Sequence, residues 1–320
     1  MGTPKNWIPI IGFFVLLSSC QLQENMKCEV KSIRELSEVP SASGIEYIEN
    51  VYYVIGDNVP WIAALDSSFS QIARYALGEY STAHDGILSK AHKHDFEAMT
   101  EISWNGKSHL LIFGSGSKQP YRFECKLIDL HAKHAIQTFS LQKLYARIQD
   151  EAKLDPSELN IEAAAEVNGK LYLFNRGKNK LVVMNTDHFI AFMQEVSTEL
   201  KLKVYSIDLP EIKDIRAGFS GAAGDEKYNR IIFTASVEDT DDWVKDGEIL
   251  GSFVGVIDLE NLQQHYTPET AQIVGQDKKE AFKVESIALV ENDGDVVECV
   301  LVTDNDGVNS ELMTLSIDFR

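Results

Sequence analysis

Along the chain, short apolar stretches alternate with polar ones at a period of two, and the alternation returns in units. Each unit is an apolar strand led by a Glu or its equivalent, a turn, and a second strand ending in small or polar residues. Five segments have this form: SGIEYIENVYYVIGDN from Ser43, DFEAMTEISWNGKSHLLIFGSGS from Asp95, NIEAAAEVNGKLYLFNRG from Asn160, FSGAAGDEKYNRIIFTASVE from Phe219 and VESIALVENDGDVVECVLVTDND from Val284. In this alignment the equivalent positions are Glu46, Glu97, Glu162, Ser220 and Glu285, separated by 51, 65, 58 and 65 residues. The spacing suits four-stranded sheets with generous loops, repeated around an axis.

The turns point the same way. Asn105-Gly106, Asn168-Gly169 and Asp293-Gly294 are dipeptides that two-residue hairpins favour, because both central positions need positive φ. Outer strands are predicted over 121–130, 180–185, 203–209 and 252–259. Helical insertions are predicted over 141–154 and 187–200, the first stopped by Asp155-Pro156. After Glu285 the chain has room for about three strands of a four-stranded unit. The missing strand is available in CEVKSIREL, Cys28 to Leu36, which would pair the two ends of the chain and remove an exposed edge. The fold class is therefore all-β, a single β-propeller of five four-stranded blades with short helical insertions and an amino-terminal strand closing the last blade. A six-bladed ring is the alternative.

The first twenty residues stand apart. Lys5 is their only charge, and Trp7 to Leu17 is an apolar run too short for a bilayer but suited to a signal-peptide core. Leu17-Ser18-Ser19-Cys20 resembles the bacterial lipobox, and that resemblance implies cleavage before Cys20 and lipidation of it. The domain reading is 1–19 signal peptide, 20–27 tether and 28–320 propeller. It places the protein in the bacterial cell envelope, held in a bilayer by an acyl anchor. Gln21 after Cys20, where Asp would favour inner-membrane retention, points to the outer membrane. Cys28, Cys125 and Cys299 remain, so at most one disulfide forms among them.

Charge narrows the partners. With 49 acidic and 30 basic residues in 320, the formal net charge is -19, which offers no basic surface to a phosphate backbone and argues against nucleic acid. The chain is read as a monomer.

SGIEYIENVYYVIGDN, with the recurring Glu-Ala or Glu-Ser after an apolar residue, resembles the phytase-like and esterase-like bacterial propellers and related secreted propeller lipoproteins. The resemblance implies a calcium-supported scaffold and, in some members, hydrolysis of phosphate esters or lactones. Ser220 departs from it, standing where the other segments have Glu.

In a propeller, residues before the first strand of a blade and after the second share one rim. That rim collects His94, Asp95, Arg176, Arg216, Glu238, Lys283 and Asp304 as candidate ligand-binding residues, with bases to hold an anion and carboxylates to hold a cation. Glu46, Glu97, Glu162 and Glu285 are candidate Ca2+ ligands if they converge on the axis. Alternatively, each Glu staples its blade to the next by accepting backbone N–H groups. Two function classes follow. One is a tethered binding or scaffold module for a small anion, a glycan or a protein, with Trp61, Trp104, Tyr121 and Trp243 as possible contacts. The other is a calcium-dependent hydrolase. No EF-hand loop, nucleophile elbow or Walker loop is complete.

Overall fold

The structure is a computed structural model that describes residues 26–80, 82, 86–131, 134–240, 247–275, 281–304 and 309–320. The signal segment, Cys20, Trp243 and Asp306 lie outside the described residues. Five sheets, each with four antiparallel strands, form a ring of five blades, and a short fifth strand joins the third blade in parallel. Blade 1 runs from Ala42–Ile48 outward through Val51–Gly56 and Trp61–Leu65 to Gln71–Ala76. Blade 2 does the same from Phe96–Trp104 to Ala135–Ser140. Blade 3 runs from Ile161–Val167 to Lys203–Ile207, blade 4 from Gly218–Asp225 to Glu269–Ile273, and blade 5 starts at Val284–Asn292. The innermost strands contact one another in cyclic order, and the fifth returns to the first.

The ring closes as the strand count requires. Lys27–Leu36 is the outermost strand of blade 5, antiparallel to Ser310–Asp318. This pairing covers the edge that the carboxy-terminal strand would otherwise expose. The six-bladed alternative is thereby set aside, because the long intervals hold other elements. Helix α1 (Gln142–Ala152) bridges blades 2 and 3, and α2 (Thr186–Met193) joins the third and fourth strands of blade 3.

Each seam between blades has its own core. The five clusters of buried apolar side chains fall between successive blades, and the largest lies between blades 2 and 3, where the helices add Leu144, Tyr145, Ile148 and Phe189. At the next seam Phe174, Phe219 and Phe233 meet edge to face, with centroids 4.9 and 5.4 Å apart. A Phe buried in this way contributes about 1.5–3 kcal/mol. Hydroxyls then tie blade to blade: Ser236 Oγ donates to Val284 O (2.7 Å) and Ser252 Oγ to Phe282 O (2.6 Å).

Local chemistry explains most turns. Asn105-Gly106 and Asn168-Gly169 make two-residue hairpins with positive φ at both positions, as predicted. Asp293-Gly294 does not. There only Gly294 has positive φ, and the loop spans 293–295 with Asp293 Oδ1 accepting from the Asp295 and Val296 amides. Cys28, Cys125 and Cys299 are free thiols.

Candidate functional site

The first strand of every blade enters the ring at the same face, and each carries a β-bulge within its first two or three residues. The bulged residues are Ser43, Glu97, Glu162, Ser220 and Glu285. In each case an apolar residue precedes the bulge and a small one follows: Ala42 and Gly44, Phe96 and Ala98, Ile161 and Ala163, Phe219 and Gly221, Val284 and Ser286. The small residue is needed because the inner strands approach closely. A Cβ on Gly221 would stand 2.6 Å from the Ser286 backbone of the next blade. A bulge turns its residue toward the axis, so Glu97, Glu162, Glu285 and Ser43 line one opening, while the Ser220 hydroxyl is buried and donates to Thr234 Oγ1 at 3.1 Å.

This register corrects the alignment at blade 1. The counterpart of Glu97 is Ser43, and Glu46 lies three residues deeper, outside the cavity described next. Glu46 Oε1 accepts the Glu101 amide of blade 2 at 3.3 Å, and burial pushes its carboxyl up to about 8. It therefore acts as an inter-blade staple.

The opening is the mouth of a cavity of about 760 Å³. Nine carboxylates and six cationic side chains line it among the described residues. Asp95, Arg176, Arg216, Glu238, Lys283 and Asp304 all reach it, as do Glu97, Glu162 and Glu285. His94 does not. Asp95 has φ 54°, a left-handed kink that leaves Lys93 and Asp95 on the cavity and sends His94 outward. The His94 ring packs against Tyr80 and Phe96, with Nδ1 3.1 Å from Glu124. Of the aromatic candidates, Trp61 lies under Arg74, Trp104 is at the opposite end of its strand, and Tyr121 stands beside His92 and His94. Lys93 and Asp57, which also line the cavity, stand before the first strand and after the second of their blades, where the sequence places the rim; Arg122 was not foreseen. The recurring triplet of apolar residue, Glu or Ser, and small residue is the signal that locates the ring.

Two ion-pair networks flank the mouth. On one side the Lys93 ammonium bridges Asp57 and Asp95, 2.7 Å from the latter, and Asp95 also receives Arg122 at 2.6 Å and the Ser115 hydroxyl at 2.5 Å. Burial works against ionising Asp95, but Lys93 and Arg122 hold it below the usual carboxylate range. On the other side Arg176 reaches Glu238 at 2.5 Å and Glu162 at 3.9 Å, while Lys283 lies 3.2 Å from Glu285. Burial raises Glu162 to about 7 and Glu285 to about 8, with neighbouring carboxylates adding to both.

Glu97 stands between the networks. Its carboxyl has no hydrogen bond or ion pair with the described residues, and burial beside Asp95, Glu162 and Asp57 holds it well above the ordinary range. Asp57, Asp95 and Glu97 offer oxygens within 4.8 Å of one another, an all-oxygen set that suits a hard cation such as Ca2+.

The chain belongs to a family of unknown function, DUF6929, whose profile matches residues 38–317. No curated protein matches it. Among solved structures it is similar to a glutaminyl cyclase of Myxococcus xanthus, with TM-score 0.50 and 11% identity over 91% of this chain and 96% of that one. It is also similar to a streptogramin B lyase (TM-score 0.37, 11% identity, 92% and 96% covered) and to the tail fiber of Staphylococcus aureus phage P68 (TM-score 0.44, 11% identity, 93% and 54% covered). At such identities the likeness is one of fold.

Proposed function

We propose that this propeller is an exported, lipid-anchored binding module that takes a small polar ligand carrying positive charge at the mouth of its channel. The observation that carries the reading is Glu97, a carboxyl aimed into a cavity of about 760 Å³ with Asp57, Asp95 and Glu162 around it, where the nearby cation Lys93 is already bridging Asp57 and Asp95. An incoming ammonium, guanidinium or metal ion would let Glu97 ionise and relieve that repulsion. The mouth is a poorer fit for an anion, because Lys93, Arg122, Arg176 and Lys283 are already engaged by carboxylates.

Topology supports the tethered part. The Lys27 end of the closing strand lies beside the 293–295 loop, on the face opposite the mouth. A lipid on Cys20 would therefore hold the propeller by its far face and leave the cavity open away from the bilayer. The test is a thermal-shift screen of the mature protein against amines, guanidines, divalent cations, neutral sugars and small carboxylates. Stabilisation by cationic compounds alone is expected, and stabilisation confined to the anions contradicts the reading.

A second reading rests on the convergence of Asp57, Asp95 and Glu97. Calcium held there, with Lys93 displaced, would supply Lewis-acid polarisation for hydrolysis of a phosphate ester or lactone. Turnover of such esters that stops on chelation would establish it, and calcium-induced stabilisation without turnover returns the site to binding.

A further inference from the structure

A second cavity, of about 590 Å³, lies at the seam of blades 3 and 4, and its chemistry is the reverse of the mouth's. The strand His265–Tyr266 leaves blade 4 and pairs in parallel with the outer strand Lys203–Ile207 of blade 3. Register then sets three polar residues in a row across adjacent strands. Lys180 is opposite Ser206, and Ser206 is opposite His265. Directly opposed residues share a face of the sheet. The alternate residues Leu181, Tyr205 and Ile207 pack into the core between the blades, so the row faces out.

The row lies in a half-open depression, in which Lys180 and Ser206 are half-buried and His265 is exposed. The 3-10 turn Gly177–Asn179 brings Lys178 to one side, and the hairpin ending in Arg216 brings a guanidinium to the other. Two lysines, an arginine and a histidine therefore converge in a chain of net charge -19, with Asp208 the one carboxylate among the described lining residues. Lys178 is paired to Glu158 at 2.7 Å, and Arg216 to Glu211 and Asp208 at 3.1 and 3.6 Å. The Lys180 ammonium has no ion pair with the described residues and donates only to Ser206 Oγ, at 2.7 Å. Burial, and after it the neighbouring Lys178, hold Lys180 below its ordinary value, with Glu158 acting against them.

We propose that this seam cavity is a separate binding site for a tetrahedral oxyanion, a phosphate or sulfate group, held by Lys180, Ser206 and His265. Ammonium, hydroxyl and imidazole approach from three strands and can each reach a different oxygen, an arrangement that suits a tetrahedral group better than a planar carboxylate. Arg216 lines both cavities, so one ligand could place its cationic part in the mouth and its anionic part in the seam.

The test is calorimetric titration of the mature protein at low ionic strength with sodium phosphate, sodium sulfate and glucose 1-phosphate, with sodium chloride as the reference. Saturable binding at one site per chain is expected, weakened roughly tenfold or more by Lys180→Met, as loss of a charge-assisted hydrogen bond implies. Lys180→Arg should retain most of it. Tighter binding of glucose 1-phosphate than of inorganic phosphate would identify an ester as the ligand, and the reverse order a free ion. Phosphate heats no larger than those of chloride, or binding that a folded Lys180→Met protein keeps within about twofold, overturn the proposal.

Discussion

The Arg176 guanidinium of blade 3 lies 2.5 Å from Glu238 of blade 4, buried at the rim of the central cavity. It is also 3.9 Å from Glu162, so one cation serves carboxylates from two blades and fixes where both point. Removing it would leave the buried Glu238 with only Lys283, 4.0 Å away, as a cationic partner among the described residues. Arg176→Met is expected to cost about 3–5 kcal/mol of stability, measured by denaturant unfolding. Adding Glu238→Gln to that variant should recover part of the loss, because the stranded charge goes with it.

The raised carboxyls set a pH dependence. Glu162 and Glu285 bind protons more tightly folded than unfolded, titrating at about 7 and about 8 when folded against an ordinary 4.5. Their contribution to stability is therefore complete below about 4.5 and is lost as pH rises through 7 and 8. Without ligand, the melting temperature should fall between about pH 5 and pH 8, and Glu285→Gln should flatten that fall. An unchanged slope in the variant would mean that Glu285 is ionised throughout.

The amino-terminal strand supplies the outer edge of blade 5, burying Val30 and Leu36. Deleting residues 21–37 should lower the melting temperature by several degrees and make the protein prone to edge association, both readable by calorimetry and light scattering. A truncated protein as stable as the full mature chain would contradict a closing role for this strand.

Five blades and their closure were legible because period-two patterning and paired turn signals recur at a blade's spacing. The fourth strands of blades 1 and 2 were not: QIARYA and AIQTFS lie largely exposed on the ring's rim and carry little apolar pattern. The ring of bulged residues was legible for Glu97, Glu162, Ser220 and Glu285 and misread at blade 1. A search for glutamates passes over Ser43 and stops at Glu46, while a bulge shifts register by one residue without altering composition. His94 was misplaced for a related reason, since the left-handed Asp95 reverses which neighbours face inward. The seam row of Lys180, Ser206 and His265 could not be read at all, because it depends on a strand from one blade pairing with another.

Cys20→Ala tests the anchor. Expressed in a bacterial host with its own signal segment, the wild-type protein should partition with the membrane fraction and carry the added mass of a lipid. The variant should appear in the soluble envelope fraction without that mass. Identical fractionation and mass for the two proteins would remove the basis for tethering.

The central claim, that the channel mouth receives positive charge at Glu97, is tested most directly by calorimetric titration of wild type and Glu97→Gln with calcium chloride and with L-arginine methyl ester. At least one of these should bind saturably to the wild type and roughly tenfold or more weakly to the variant, while the unliganded variant is as stable as the wild type or more so, having lost a repelled carboxyl. Binding of neither probe, or binding that Glu97→Gln leaves unchanged, would contradict the claim.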